Sequence, residues 1–133
     1  MLRHTLATLA FRLNRAVEGA PADFGTYRMG AARTPVEILA HMGDLMDWAL
    51  RQADGVADWT VASPQEWGAE LTRFHAALRK LDERLAAGPV HCDERRLFQG
   101  PIADALTHTG QIALLRGLHG APARPMNYFK ADI

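Results

Sequence analysis

A chain of 133 residues is enough for one domain that buries roughly two-thirds of the surface its unfolded form exposes, so neither disulfides nor a metal is needed merely to fold it. Fifteen Lys plus Arg balance fifteen Asp plus Glu, which leaves no electrostatic footprint for nucleic acid or an anionic membrane and favours a small-molecule substrate or a protein partner. The single cysteine, Cys92, excludes an internal disulfide and points to a reducing compartment.

The longest stretch free of Asp, Glu, Lys and Arg is residues 105–115, far short of the ~20 apolar residues that cross a bilayer. Arg12 and Arg15 interrupt the apolar residues 5–11 before they reach the length of a signal-peptide core. The expectation is a cytoplasmic protein.

Leu2, Leu6, Leu9, Leu13 and Val17 recur at spacings of four and three, which lays one apolar stripe along a helix over about residues 2–17. Gly19 and Pro21 end it. Residues 18–33 then form a long crossover, rich in glycine and carrying Phe24 and Tyr27. Thr34, Pro35 and Glu37 spell an N-cap, a first-turn proline and a capping box, so a second helix runs to about Ala53 with Gly55 beyond it. Ile38, His41, Leu45 and Trp48 share one face of it.

Ser63, Pro64 and Glu66 repeat the starting pattern, and Trp67, Leu71, Phe74, Leu78, Leu81 and Leu85 form the stripe of a third helix that ends at Gly88-Pro89. Glu70, Arg73, Arg79, Lys80, Asp82 and Glu83 fall off that stripe and read as solvated surface. Residues 90–99 read as a second connection. Gly100-Pro101 opens a fourth helix that ends near residues 117–120, and Pro122 and Pro125 make the remainder an extended tail in which Tyr128 and Phe129 can pack. The whole predicts a single all-α domain: a four-helix bundle with a long first crossover loop and an extended C-terminal tail.

Chemistry concentrates in residues 104–111, Asp-Ala-Leu-Thr-His-Thr-Gly-Gln. Asp104 and His108 are four apart and share a face that Ile112 and Leu115 continue as apolar. A carboxylate and an imidazole turned toward a core are buried only when paired, hydrogen-bonded or bound to metal. His41 supplies a third donor from an apolar stripe of the second helix. Two His and one carboxylate suit Zn, Ni, Fe or Mn with open positions left for water or substrate; the plainer alternative is a hydrogen-bonded core cluster. Gln111 can orient a ligand from one turn further on, and Asp44 can do the same for His41, although a surface role is the simpler reading of Asp44. His75 reads as surface, while His4, His91 and His119 fall near ends or in connections, and His91-Cys92 is a faint alternative metal pair. Trp48 and Tyr128 are candidate pocket walls whose plainer role is packing.

The second-helix segment Leu-Ala-His41-Met-Gly-Asp-Leu-Met-Asp-Trp48, the pair at four spacing followed by Gly-Gln111, and the close Leu118-His-Gly-Ala-Pro122 resemble the DinB/YfiT-like superfamily over essentially the whole chain. The resemblance implies a four-helix bundle, often dimeric, with a divalent cation usually held by three His, among relatives that include thiol-dependent transferases, a maleylpyruvate isomerase and hydrolases. It makes His41, Asp104 and His108 the ligands. The commoner motif has His where this chain has Asp104 and Arg where it has Thr109, and Asp shifts preference toward harder ions. The expected function is a metal-dependent hydrolase or thiol S-transferase acting on a small molecule, with a low-molecular-weight thiol as a possible co-substrate. The competing reading is a non-catalytic bundle, metal-stabilised or metal-free, that serves a homodimer or partner interface.

Overall fold

The computed structural model describes residues 1–133 and is all helical. Four long helices carry the core: α1 Leu2–Val17, α2 Pro35–Ala53, α3 Trp67–Ala87 and, after a four-residue α4 at Glu94–Leu97 and a wide π-helical turn at Phe98–Ile102, α5 Ala103–His119. Single 3-10 turns at Phe24–Thr26 and Tyr128–Lys130 complete the order. No helix is long and apolar enough to cross a membrane.

The predicted stripes form the interior. Leu6, Leu9 and Leu13 of α1, Ile38 and Leu45 of α2, Phe74, Leu78 and Leu81 of α3, and Ile112 and Leu115 of α5 lie in one core, each side chain contributing about 1.5–3 kcal/mol by leaving water. α2 opens as expected: the Thr34 hydroxyl accepts from the Glu37 N–H at 3.3 Å, and the Glu37 carboxylate accepts from the Thr34 N–H at 2.9 Å.

Cross-helix contacts fix the directions. Arg3, early in α1, pairs with Asp82, late in α3, at 2.8 Å, so α1 and α3 are antiparallel. Arg73 reaches Ala40 and Asp44 near the start of α2, while Arg84 reaches Ala53 and Asp54 at its end, so α2 and α3 run parallel. A parallel pair has a consequence for its connection. α2 has 19 residues, about 28 Å at 1.5 Å each, so the chain must return along that length in extended form before α3 can begin. Residues 54–66 make this return.

That requirement displaces the expected start of α3. Ser63 and Pro64 belong to the return strap, and Glu66 is the N-cap, its carboxylate accepting from the Ala69 N–H at 2.7 Å. The strap is pinned to both helices, since the Asp44 carboxylate accepts from the Ala62 N–H at 3.3 Å and the Glu70 carboxylate from the Gln65 N–H at 3.0 Å.

Three further expectations need correction. Asp44 and Glu70 are buried rather than surface residues, and half-buried Arg73 joins them, with Nη2 at 3.2 Å from Asp44 and Nε at 2.9 Å from Glu70. Buried charges of this kind persist only as a mutually paired set. Residues 90–99 are not a plain connection, because Asp93 caps a helical turn at Glu94–Leu97 that runs without a break into α5. Pro101 lies inside this run. It has no N–H to donate and its ring crowds the preceding turn, and the helix answers by widening: the Ala103 N–H reaches back five residues to the Phe98 carbonyl. In the tail, Tyr128 packs edge-on to Phe11 and beneath the Arg12 guanidinium, while Phe129 is exposed.

Sequence periodicity gives no warning of Arg116. It is buried and donates to the carbonyls of Ala16, Glu18 and Ala121 at 2.8–3.0 Å. A cation there satisfies the free carbonyls where α1 and α5 both end, which also shows that these two helices run parallel.

Candidate metal centre

The capping box sets the start of α2 and thereby places His41 on its second turn. The π-helical turn ends at Ile102, so Asp104 falls on the first turn of α5 and His108 on the next. α2 and α5 pack with opposite directions, Trp48 lying against Pro101 and Asp104 while Ile38 lies toward Leu115. His41 therefore meets the Asp104–His108 face across the interface.

The donor atoms of His41, Asp104 and His108 lie within 4.8 Å of one another, and they form the one such group of three in the chain. His41 Nε2 is 3.6 Å from Asp104 Oδ2, and His108 Nε2 is 3.5 Å from Asp104 Oδ1. Neither separation is a hydrogen bond of normal length, which would be about 2.7–3.2 Å. Each is close to the edge, about 3.4 Å, of a tetrahedron with bonds of about 2.1 Å, although they run to the two different oxygens of the carboxylate. The spacing is compatible with a loose polar cluster of the three side chains and also with a shared cation.

Protonation favours the same use. Burial, with the neighbouring His108 and Arg33, holds His41 below the ordinary imidazole range against the opposing pull of Asp104, so its ring is neutral at pH 7 and keeps a lone pair. His108 Nδ1 is 2.7 Å from Gln111 Oε1. An amide oxygen only accepts, so Nδ1 donates to it and Nε2 is the ring atom turned toward Asp104. Gln111 therefore occupies the orienting position expected of it.

Exposure grades across the site: 13% for the His108 side chain, 25% for His41 and 47% for Asp104. The expectation that Asp104 faces the core needs correction, since it lies at the mouth and only Ile112 and Leu115 carry that face inward. Two clefts flank the group. One, of about 550 Å³, is lined by Arg33, Ile38, His41, His108, Leu114 and Leu115 among others. The other, of about 380 Å³, has Leu45, Trp48, Pro101, Asp104 and Thr107 in its wall.

Trp48 thus lines one of these clefts, and Tyr128 lines neither. Sequence reasoning missed two neighbours. Trp59, on the return strap, lies edge-on to His41 at 6.0 Å between ring centres and to Trp48 at 5.7 Å; its signal was a lone aromatic between the second and third helices. Arg33, next to the α2 cap, lines the larger cleft. Asp44 does not reach His41 and belongs to the Arg73 cluster. His75 is half-buried beside Phe74 rather than on the surface, and His119 packs between Phe24 and Tyr27. No third donor joins His91 and Cys92.

No protein-family model, curated protein or solved structure matches the chain.

Proposed function

We propose that the chain is a divalent-metal protein of the DinB/YfiT-like kind, a four-helix bundle that uses His41, Asp104 and His108 to hold its cation and works as a hydrolase or thiol S-transferase on a small molecule. The observation that supports it is the spacing of 3.6 and 3.5 Å between each imidazole nitrogen and a half-exposed carboxylate. A set of two nitrogens and one oxygen suits Zn, Ni, Fe or Mn and fills three positions, which leaves coordination open toward the flanking clefts. A cation held there supplies Lewis acidity, which lowers the pKa of water or a thiol toward neutrality.

The chain's own residues do the rest. Burial keeps His41 neutral, Gln111 fixes the His108 tautomer, and Asp104 contributes one negative charge, so a divalent ion retains a net positive charge and remains electrophilic. Trp59 packs edge-on beside His41. Neither cleft is lined by Ser or Cys, and burial pushes the Cys92 thiol up, away from thiolate character. The nucleophile is then water or the thiol of a co-substrate.

Cobalt titration tests this reading. Co(II) bound to wild-type protein should give visible absorption of tetrahedral or five-coordinate intensity at one equivalent, and His108→Ala should abolish it while retaining a native circular dichroism spectrum. A low-molecular-weight thiol should then perturb that absorption. An unchanged spectrum with every thiol tested removes the transferase form and leaves the hydrolase form, and the absence of any cobalt spectrum removes both.

A further inference from the structure

The larger cleft beside the donor group has a composition that selects its ligand. Ala32, Ile38, Leu114 and Leu115 give it an apolar lining, and Arg33 is the one permanently charged residue in its wall. Arg3, Arg28, Arg84 and Arg95 pair with Asp82, Glu37, Asp54 and Asp93, whereas Arg33, like Arg12, Arg79, Arg96, Arg116 and Arg124, has no carboxylate partner, and of these six it alone lines this cleft. Glu37 is the carboxylate nearest to Arg33 in sequence. Its two oxygens accept from the Arg28 guanidinium at 2.8 Å and the Thr34 N–H at 2.9 Å, and it makes no ion pair with Arg33. The Arg33 guanidinium is left without a carboxylate partner at the rim of an apolar cleft that ends on two imidazoles.

A guanidinium fork facing such a cleft matches a carboxylate bidentately. An apolar wall favours a hydrocarbon body, and an ammonium group there would meet like charge from Arg33 and, on the reading of the site given above, from the cation as well. We propose that the larger cleft binds a small organic acid, with its carboxylate on Arg33, its apolar body against Ile38, Leu114 and Leu115, and its remaining functional group toward His41 and His108. The orientation toward the donors rests on the metal-site reading; the contact with Arg33 does not.

Hexanoate, acetate, hexylamine and 1-hexanol serve as probes in ¹H–¹⁵N titrations of metal-free protein, repeated by absorption on the Co(II) form. Hexanoate should shift the amides around residues 32–38 and 111–115, bind at least severalfold more tightly than acetate or 1-hexanol, and leave hexylamine without saturable binding. Arg33→Gln should weaken hexanoate about tenfold without weakening Co(II), since Arg33 donates no ligand atom and its charge opposes a cation beside His41. Equal hexanoate binding by wild type and Arg33→Gln, or hexylamine binding as tightly as hexanoate, overturns the assignment. A protein that binds hexanoate through Arg33 but takes up no Co(II) keeps the acid cleft and loses the metal. One that binds Co(II) but shows no Arg33-dependent hexanoate shift keeps the metal and loses the acid cleft.

Discussion

The Arg73 guanidinium rests directly on Gly43: a β-carbon added there would come within 2.8 Å of its Cζ. The contact exists because Arg73 enters between α2 and α3 to reach Glu70, Asp44 and the Ala40 carbonyl together. Helix propensity favours Ala over Gly by about 0.5–1 kcal/mol, and Gly110, with open space around it, should show that gain when changed to Ala. Gly43→Ala should reverse the sign and destabilise by about 1–2 kcal/mol, because the guanidinium is held by several partners and cannot move without breaking some of them. Paired urea-unfolding midpoints for the two variants measure the contrast.

Arg73→Met should cost more, about 3 kcal/mol, by leaving Asp44 and Glu70 buried without their cation. Because Asp44 also holds Ala62 and Glu70 holds Gln65, the return strap should loosen with it. Greater exposure of Trp59, read as a red shift in its fluorescence with Trp48 and Trp67 each changed to Phe, is the accompanying expectation.

Gln111 contacts His108 Nδ1 at 2.7 Å and, in the proposed site, would orient that imidazole rather than bind the cation. Gln111→Ala should therefore lower metal affinity by about 10- to 100-fold while leaving the melting temperature of metal-free protein nearly unchanged. Competition against a chromophoric chelator gives the affinity, and calorimetry of the metal-free form gives the stability.

Acid should weaken the fold partly through His75. Its half-buried position, with Arg79 nearby, holds its imidazole below the ordinary value. The unfolded chain takes up a proton below about pH 6.5 and the native chain does so only at lower pH, so stability falls as pH drops through that window and levels off beneath the native value. His41 is lowered in the same direction, so the informative quantity is a difference. In metal-free protein, His75→Gln should lose less stability than wild type between pH 8 and pH 5.5.

Element type and the core faces of α1, α2 and α3 were legible because apolar residues at spacings of three and four mark a buried stripe whatever the topology. His41 and His108 were legible as inward-turned for the same reason, whereas Asp104, on the same pattern, lies half-exposed. Helix direction was not. The parallel course of α2 and α3 follows from long-range contacts of Arg73 and Arg84, and without it the capping signal at Ser63 outweighed the need for a strap. Asp44, Glu70, Arg73 and Arg116 were misread or missed because burial of a charge depends on partners distant in sequence, which periodicity does not register. Pro101 looked like a start because a proline inside a helix is tolerated only through the wider turn that receives it.

The central claim is that His41, Asp104 and His108 hold a divalent cation. Elemental analysis of protein purified without an affinity tag, for wild type beside His41→Ala and Asp104→Asn, tests it most directly. Wild-type protein should carry about one Zn, Ni, Fe or Mn per chain, with the metal lost or strongly depleted in both variants while their helical circular dichroism stays native. Folded wild-type protein that holds no metal, even after reconstitution with each of the four ions, would contradict it and leave the three residues as a polar cluster between α2 and α5.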